Sequence, residues 1–266
     1  MIRHLLQLIW NQRKQNAWLW AELLLVSVFL WFLVDYLYVM GRTYTAPLGF
    51  DIRHTYSIVI SSLSERSPDY IPKEKRERPD GVHLLTALDR IRTYPGVESA
   101  CLTDGGMPYY MGSRNLVWRI DTLQVPCRYA FVTPEFFDVF RIYDKDGKTA
   151  SLKRAIEDNN SIVISADVET MNPGLSLLGQ KAYRGNVTDE IEETIRGISV
   201  PIRRHEYTKA EPNVYRALRL SRMEEGYYEG MIDAVRLCVR VRPDVDNADF
   251  PTRFRKDMAE QLRLGN

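Results

Sequence analysis

The most constraining feature of the chain is a long, mostly apolar stretch near its N-terminus, AWLWAELLLVSVFLWFLVDYLYVM at residues 17–40. As an α-helix rising about 1.5 Å per residue, this stretch would be roughly 36 Å long. That length exceeds the roughly 30 Å hydrocarbon core of a bilayer, so we predict a transmembrane helix. A cleaved secretory signal would have a shorter apolar region and a small-residue cleavage site, which Tyr44-Thr45-Ala46 matches poorly.

The charges beside this stretch predict its orientation. Arg3, Arg13 and Lys14 precede it, and the first acidic residue is Glu22. Because basic flanks tend to remain cytoplasmic, we expect these three residues to be topology determinants, with the N-terminus inside and most of the chain outside. Residues 1–16 mix apolar and polar side chains like an interfacial helix, although a plain helical extension of the span accounts for them equally well.

Two acidic residues lie inside the predicted span, Glu22 and Asp35. An ionised carboxylate at mid-membrane costs a few kcal/mol even on lenient insertion scales, so both need an explanation. At about 100° per residue, their separation places them on different helix faces. Two interpretations stay open: at least one of them contacts another transmembrane helix, or both reach the headgroup zone.

Charge and cysteine content exclude several classes of protein. The 36 basic and 35 acidic residues leave a net charge of +1, which predicts no nucleic-acid partner. The three cysteines, Cys101, Cys127 and Cys238, are odd in number and widely spaced, so they form neither a disulfide framework nor a metal knuckle. Three buried thiols is the preferred interpretation, and one disulfide is the alternative.

Catalytic motifs are missing from the sequence. The GKT at residues 147–149 lacks the glycine that a phosphate-binding loop needs five positions earlier, where Ile142 stands, so we predict an Asp-Gly turn instead. No GxSxG, HExxH or paired-cysteine motif occurs, and the four histidines are far apart. We therefore expect no catalytic residue, no cofactor and no metal site.

Hydrophobic periodicity divides the remaining chain into two ends and a middle. Residues 55–61 and 97–102 read as strands flanking an amphipathic helix at 84–91, and a right-handed crossover would make the strands parallel in one sheet. A charged loop at residues 64–81 is expected to be solvated. Residues 235–241 alternate like a half-buried strand. A helix with Phe250, Phe254, Met258 and Leu262 follows, with Gly265 as its C-cap.

The middle region, residues 103–230, reads as an inserted β-rich part. Its strand candidates are residues 115–120, 128–132, 161–165 and 194–200. Its aromatic residues Phe136, Phe137 and Phe140 are expected to be core. The predicted fold class is therefore α+β: an N-terminal transmembrane helix, then an extracytoplasmic domain whose ends form a porter-like α/β part (41–102 and 231–266) around this insertion.

Several motifs in this order resemble one family. They are YPGVESA at 94–100, YAFVTPEFFDVFRI at 129–142, SIVISADVE at 161–169, SLLGQKA at 176–182 and ETIRGISVPIR at 193–203. Together with a short cytoplasmic helix and one span, they resemble MacB/FtsX-type ABC transporter permeases. The resemblance covers essentially the whole chain. The sequence lacks the family's three C-terminal spans, however, so we expect it to be the N-terminal part or a fragment of such a permease.

The resemblance implies a MacB-like periplasmic core domain anchored in the bacterial inner (cytoplasmic) membrane. It also implies a permease dimer, a cytoplasmic ABC ATPase subunit as partner, contact with membrane lipid, and a periplasmic partner protein. Such permeases transmit ATP-driven motion to the exterior domain (mechanotransmission), in efflux, lipoprotein release or cell-wall hydrolase control. The alternative is a single-span sensor or scaffold whose extracytoplasmic domain binds a ligand or protein.

Overall fold

The structure is a computed structural model that describes residues 7, 10, 14, 17–59, 66–68, 70–72, 75, 78–110, 112, 114–185, 190–226 and 234–259. The chain divides into two compact units. One comprises Met1–Pro47 with Glu206–Thr208, and the other comprises Leu48–His205 with Lys209–Asn266. We call the second unit the sheet domain.

Helix α1 confirms the predicted helix. It spans Ala17–Thr45, 29 residues that are long and apolar enough to cross a membrane, and nearly all its side chains are exposed. It extends beyond the apolar stretch, and the Thr45 hydroxyl donates a hydrogen bond to the Gly41 carbonyl in its last turn (3.0 Å). Of residues 1–16, the structure describes only Gln7 and Trp10, which are helical, and Lys14, which lies in a turn. The predicted interfacial helix therefore lies largely outside the described residues.

The sheet domain contains nine strands and six helices within the described residues. In chain order they are β1 Thr55–Ile58, α2 Asp80–Arg92, β2 Val97–Asp104, β3 Asn115–Ile120, β4 Leu123–Val132, α3 Phe136–Val139, α4 Ala150–Glu157, β5 Ser161–Ser165, α5 Asp167–Met171, β6 Lys181–Arg184, β7 Ile191–Ser199, β8 Asn213–Ala217, α6 Leu220–Glu224, β9 Val235–Val241 and α7 Phe250–Met258.

The two ends of the sheet domain meet in one three-stranded sheet. Strand β9 lies between β1 and β2 and is antiparallel to both, so β1 and β2 are parallel to each other, as predicted, but are not neighbours. Helices α2 and α7 pack their apolar side chains into a common core with this sheet. The chain thus enters the sheet domain through β1, beside β9, the last strand among the described residues.

Strand β9 is central rather than half-buried, which corrects the prediction from alternation. Its polar-face residues Cys238 and Arg240 are 0% and 1% exposed, because α3 and the segment that precedes β1 cover the second face. The Arg240 guanidinium donates hydrogen bonds to the carbonyls of Val139 (2.6 Å), Arg53 (2.8 Å) and Asp51. This buried charge therefore fastens residues 51–53, at the entrance to the sheet domain, to β9.

The other six strands close into a barrel. Four pairs are antiparallel (β3–β4, β5–β8, β6–β7 and β3–β6) and two are parallel (β4–β8 and β5–β7), so that each strand has two neighbours in the ring. Inward-facing residues from every strand fill the interior, among them Trp118 and Ile162, both fully buried. The last two residues of β2 pair with β4 and join the barrel to the three-stranded sheet.

A second core lies between the barrel wall and the helices α3 and α4. It contains Phe136, Phe137 and Phe140, which confirms the prediction that these rings are core. The predicted Asp-Gly turn is also confirmed: the Asp144 carboxylate accepts the N–H groups of Asp146 and Lys148, and Gly147 has φ +75°.

Other sequence predictions need correction. Strands β6 and β8 were not predicted, and β4 begins at Leu123, five residues before its predicted start. Helix α2 begins at Asp80, so Asp80 and Gly81 are buried helical residues rather than part of a solvated loop. Gly81 is needed there because a Cβ would lie 2.3 Å from the Met223 carbonyl oxygen. Residues 60–65, Leu262 and Gly265 lie outside the described residues.

Candidate functional site

One end of the barrel, which we call the barrel mouth, gathers charged side chains. Strands β4, β6 and β8 end there, and β3, β5 and β7 begin there, as their pairing requires. Side chains alternate between the two faces of a strand, so residues two positions beyond a core residue also face inward. This register places Arg184, two residues after buried Ala182, and Arg216, two residues after buried Val214, inside the mouth.

A buried carboxylate holds these two arginines. Glu193 of β7 is 2% exposed, and its Oε1 accepts a hydrogen bond from Arg216 Nε at 2.7 Å. Arg184 Nε lies 3.3 Å from the same oxygen, without the geometry of a hydrogen bond. Glu193 Oε2 accepts the indole N–H of Trp118 at 3.2 Å. The charged layer at the mouth therefore rests directly on the apolar interior of the barrel.

A cavity of about 620 Å³ opens at the barrel mouth. Its lining includes five arginines: Arg114, Arg184, Arg216, Arg219 and Arg222. Burial, together with the nearby charges of Arg184 and Arg219, lowers the pKa of Arg216, whereas Glu193 acts in the opposite direction. Like-charged groups are thus crowded together with few acids among them.

A second cavity of about 230 Å³ adjoins the first and shares Asp104, Arg114, Tyr129 and Ala234 with it. Arg114 Nη1 lies 2.6 Å from Asp104 Oδ2. Burial raises the pKa of Asp104, and Arg114 partly opposes that rise. Arg128 also lines this cavity, its Nε is buried without a hydrogen-bond partner among the described residues, and burial lowers its pKa.

The loop after β2 forms part of the wall of this second cavity. Gly105 and Gly106 both line it with positive φ, and a Cβ on Gly106 would lie 2.5 Å from the Ala130 Cβ. The glycine pair therefore allows the loop to approach the barrel wall closely. Chemically, the two cavities together offer guanidinium donors and aromatic surface, an arrangement suited to binding an anion.

The predicted transmembrane residues are placed on one helix. Glu22 and Asp35 are both exposed on α1, and contact with other spans stays a prediction. Lys14 is exposed ahead of that helix, whereas Arg3 and Arg13 lie outside the described residues, so their role in topology also stays a prediction.

The three cysteines are buried thiols, as preferred from the sequence. Cys101 lies directly opposite Cys238 across β2 and β9, and the Cys238 Sγ is 3.5 Å from the Met107 Sδ. Burial raises the pKa of Cys101, and it raises the pKa of Cys127 to about 12. The described residues contain no group of three or more His, Cys, Asp or Glu side chains that could hold a metal ion.

Sequence analysis missed the arginines of the barrel mouth because it did not predict the strands that carry them. A usable signal exists: KAYR at 181–184 and NVYR at 213–216 each place an arginine two residues after a small or β-branched apolar residue. In a strand this spacing directs the arginine to the apolar face. Only the pairing of β6 with β7 and of β5 with both β7 and β8, however, brings the two arginines to one carboxylate.

Comparisons with known proteins give structural likeness only. No protein-family model matches the chain, and no curated protein matches its sequence. A domain described as part of a permease protein from Porphyromonas gingivalis aligns at 19% identity and a TM-score of 0.48, over 68% of each chain. The periplasmic region of MacB from Actinobacillus actinomycetemcomitans aligns at 9% identity and 0.46, over 84% of this chain and 91% of that one.

The extracellular domain of the noncanonic ABC-type transporter YknZ from Gram-positive bacteria aligns at 12% identity and a TM-score of 0.47, over 78% of this chain and 92% of that one. These likenesses concern the fold and assign no substrate or partner to this chain. The apolar helix α1, followed by a mixed domain of helices and strands, fits a membrane-anchored protein. The chain is similar in structure to MacB-like periplasmic domains, the kind of domain that its sequence motifs resemble.

Proposed function

We propose that the chain is a non-catalytic permease subunit of an ABC transporter, or the N-terminal part of one. Its N-terminus lies in the cytoplasm, α1 crosses the bacterial inner membrane, and the sheet domain is periplasmic. A cytoplasmic ATPase acts through the membrane part on this domain, for efflux or another mechanical task. The three-stranded sheet then corresponds to the porter-like part, and the barrel to the inserted part.

The observation that best supports this function is the way the chain enters the sheet domain. Thr55 at the start of β1 lies opposite Arg240 near the end of β9. Arg240 also holds the carbonyls of Asp51 and Arg53, in the segment just before β1. Movement of the chain at this entrance would therefore pass directly to a central strand rather than be absorbed in a loose linker.

A permease also needs contacts between spans, and for these we assign Glu22 and Asp35. Both are exposed along an otherwise apolar α1, and acidic side chains within spans usually face other helices rather than lipid. A second copy of the chain or another span of the same transporter would cover them.

Affinity capture of the full chain from the membranes of its own cell tests the proposal. We expect a subunit with a Walker A sequence to co-purify, with ATP hydrolysis that vanadate inhibits. Asp35→Asn is expected to lower the recovery of that subunit, whereas Tyr36→Phe, a neighbouring change without loss of charge, leaves it unchanged. Recovery of the chain with no ATPase, under conditions that preserve other transporters, would contradict the proposal and favour the sensor or scaffold.

A further inference from the structure

Among the residues that the structure describes, positive charge at the barrel mouth is not matched by acidic side chains. Arg184 and Arg216 share the single buried carboxylate of Glu193. Arg219, beside them on the cavity wall, has no carboxylate within 4.0 Å among the described residues. Within this described set, three guanidinium groups therefore accompany one carboxylate, which is an excess of two positive charges.

The remaining lining does not cancel this excess. Asp104 is the one carboxylate lining either cavity among the described residues, and it lies 2.6 Å from its own arginine, Arg114. Arginines that only closed the barrel end would be expected to have matching acids, because unmatched like charges repel one another when partly buried.

The cavity also offers surface for an apolar group. The Arg216 guanidinium stacks over the Phe131 ring, with its Cζ 4.9 Å from the ring centroid, and Tyr129 and Ile191 complete this side. Stacking and the Glu193 carboxylate fix the Arg216 guanidinium plane before any ligand arrives. A volume of about 620 Å³ lies within the range of small-molecule sites, which often occupy the mouths of β-barrels.

We propose that the barrel mouth binds a phosphate monoester, with Arg219 and Arg216 as the principal phosphate ligands and the aromatic wall beneath its organic part. A phosphate monoester carries about −1.5 to −2 charges at neutral pH, which matches the excess at the mouth. Its three terminal oxygens on one centre suit several converging guanidinium groups. The ester is either free in solution or the headgroup of a lipid. This site does not depend on an ATPase partner, because it rests on the barrel mouth alone.

Calorimetric titration of the full chain in detergent micelles tests the site, with glycerol 3-phosphate as the free ester and a short-chain phosphatidic acid as the lipid. Arg219→Gln removes a charge that has no ion pair among the described residues, so the fold should be unaffected. Arg255→Gln removes the same charge from an exposed position on α7 and serves as the matched control. Succinate serves as a dianion without phosphate.

We expect one or both esters to bind, with an affinity about tenfold or more lower in Arg219→Gln and unchanged in Arg255→Gln. Stronger binding of glycerol 3-phosphate identifies a free ester as the source, and stronger binding of phosphatidic acid identifies a lipid headgroup. Three results would overturn the proposal: no binding of either ester, equal binding by both variants, or equally tight binding of succinate. Failure of this test leaves co-purification of an ATPase unaffected, so the two proposals can fail separately.

Discussion

Arg216 reaches Glu193 across β5, the strand that separates β8 from β7, and its Nε and Nη2 lie 2.7 Å and 2.6 Å from one carboxylate oxygen. Glu193 is buried, whereas its neighbour Glu192 is exposed and meets Lys181 and Tyr183 in solvent. Adjacent carboxylates on one strand thus occupy opposite environments. Their substitution should separate the effect of a buried ion pair from that of an exposed one.

Glu193→Gln is expected to lower the free energy of unfolding by about 3 kcal/mol, because it leaves Arg216 buried without its counter-charge. Glu192→Gln should lower it by less than about 1 kcal/mol, as is usual for exposed ion pairs. Denaturant unfolding of both full-chain variants in micelles measures the difference. Equal losses for the two substitutions would contradict the arrangement at the barrel mouth.

Arg240→Gln is expected to destabilise the protein by about 3 kcal/mol, because the shorter side chain leaves buried carbonyls, among them that of Val139, without a donor. Arg236→Gln on the same strand is the control. Arg236 is only half-buried, and we expect a change within about 0.5 kcal/mol. Thermal unfolding compares the two variants, and a milder effect at Arg240 than at Arg236 would show that the entrance segment is not fastened as described.

Tyr56 makes the stability of the folded protein depend on pH in the alkaline range. Its hydroxyl donates to Asp246, and burial together with this hydrogen bond raises the pKa of Tyr56 to about 12. The folded state therefore favours the neutral phenol, and this stabilisation is present below pH about 10, where unfolded tyrosine titrates. It is lost as pH rises from about 10 to about 12.

Tyr56→Phe should be less stable than the wild type by about 1 kcal/mol at pH 8, the usual value of one hydrogen bond. The difference should shrink to nothing between about pH 10 and pH 12, because the wild-type phenol then ionises. Denaturant titrations at a series of pH values measure it. A difference that stays constant up to pH 12 would mean that the phenol makes no such bond.

Two glycines with similar φ angles allow the cost of backbone strain to be measured separately from the cost of a steric clash. Gly49 and Gly147 have φ of +84° and +75°, a region that costs other residues about 1–2 kcal/mol. A Cβ at Gly147 meets nothing within 4 Å, but one at Gly49 would lie 2.2 Å from the Pro201 carbonyl oxygen. Gly147→Ala should therefore lower the free energy of unfolding by about 1 kcal/mol, and Gly49→Ala should lower it clearly more. Thermal unfolding measures both changes. Equal losses would rule out the close approach at Pro201.

Local pattern predicted those elements whose apolar spacing is unambiguous. Strands β3, β5 and β9 and the helices α2 and α7 follow from alternation or from four-residue spacing, and α1 follows from continuous apolarity. Short β6, with Lys181 and Arg184 at its ends, carries too little apolar pattern to be distinguished from a turn.

Long-range pairing accounts for what the sequence could not predict. Arg240 looks like a solvent-facing residue in the sequence, and it is buried only because residues 51–53 and α3 cover its side of β9. Likewise, Glu193 and Arg216 lie on strands that pair with opposite edges of β5, so no spacing along the chain marks them as partners. Local patterns could thus mark single arginines as facing inward but not their shared carboxylate, whereas they sufficed to predict the span.

Cysteine labelling in cells tests the central claim, a single-span anchor with the sheet domain outside. The three native thiols are buried, so a membrane-impermeant maleimide should give little background. Asp146→Cys places a thiol in an exposed turn of the sheet domain, and Gln7→Cys places one ahead of α1. With the cytoplasmic membrane intact, we predict that residue 146 is labelled and that residue 7 is labelled only after permeabilisation. Labelling of residue 7 alone in intact cells would contradict the orientation, and with it the permease proposal.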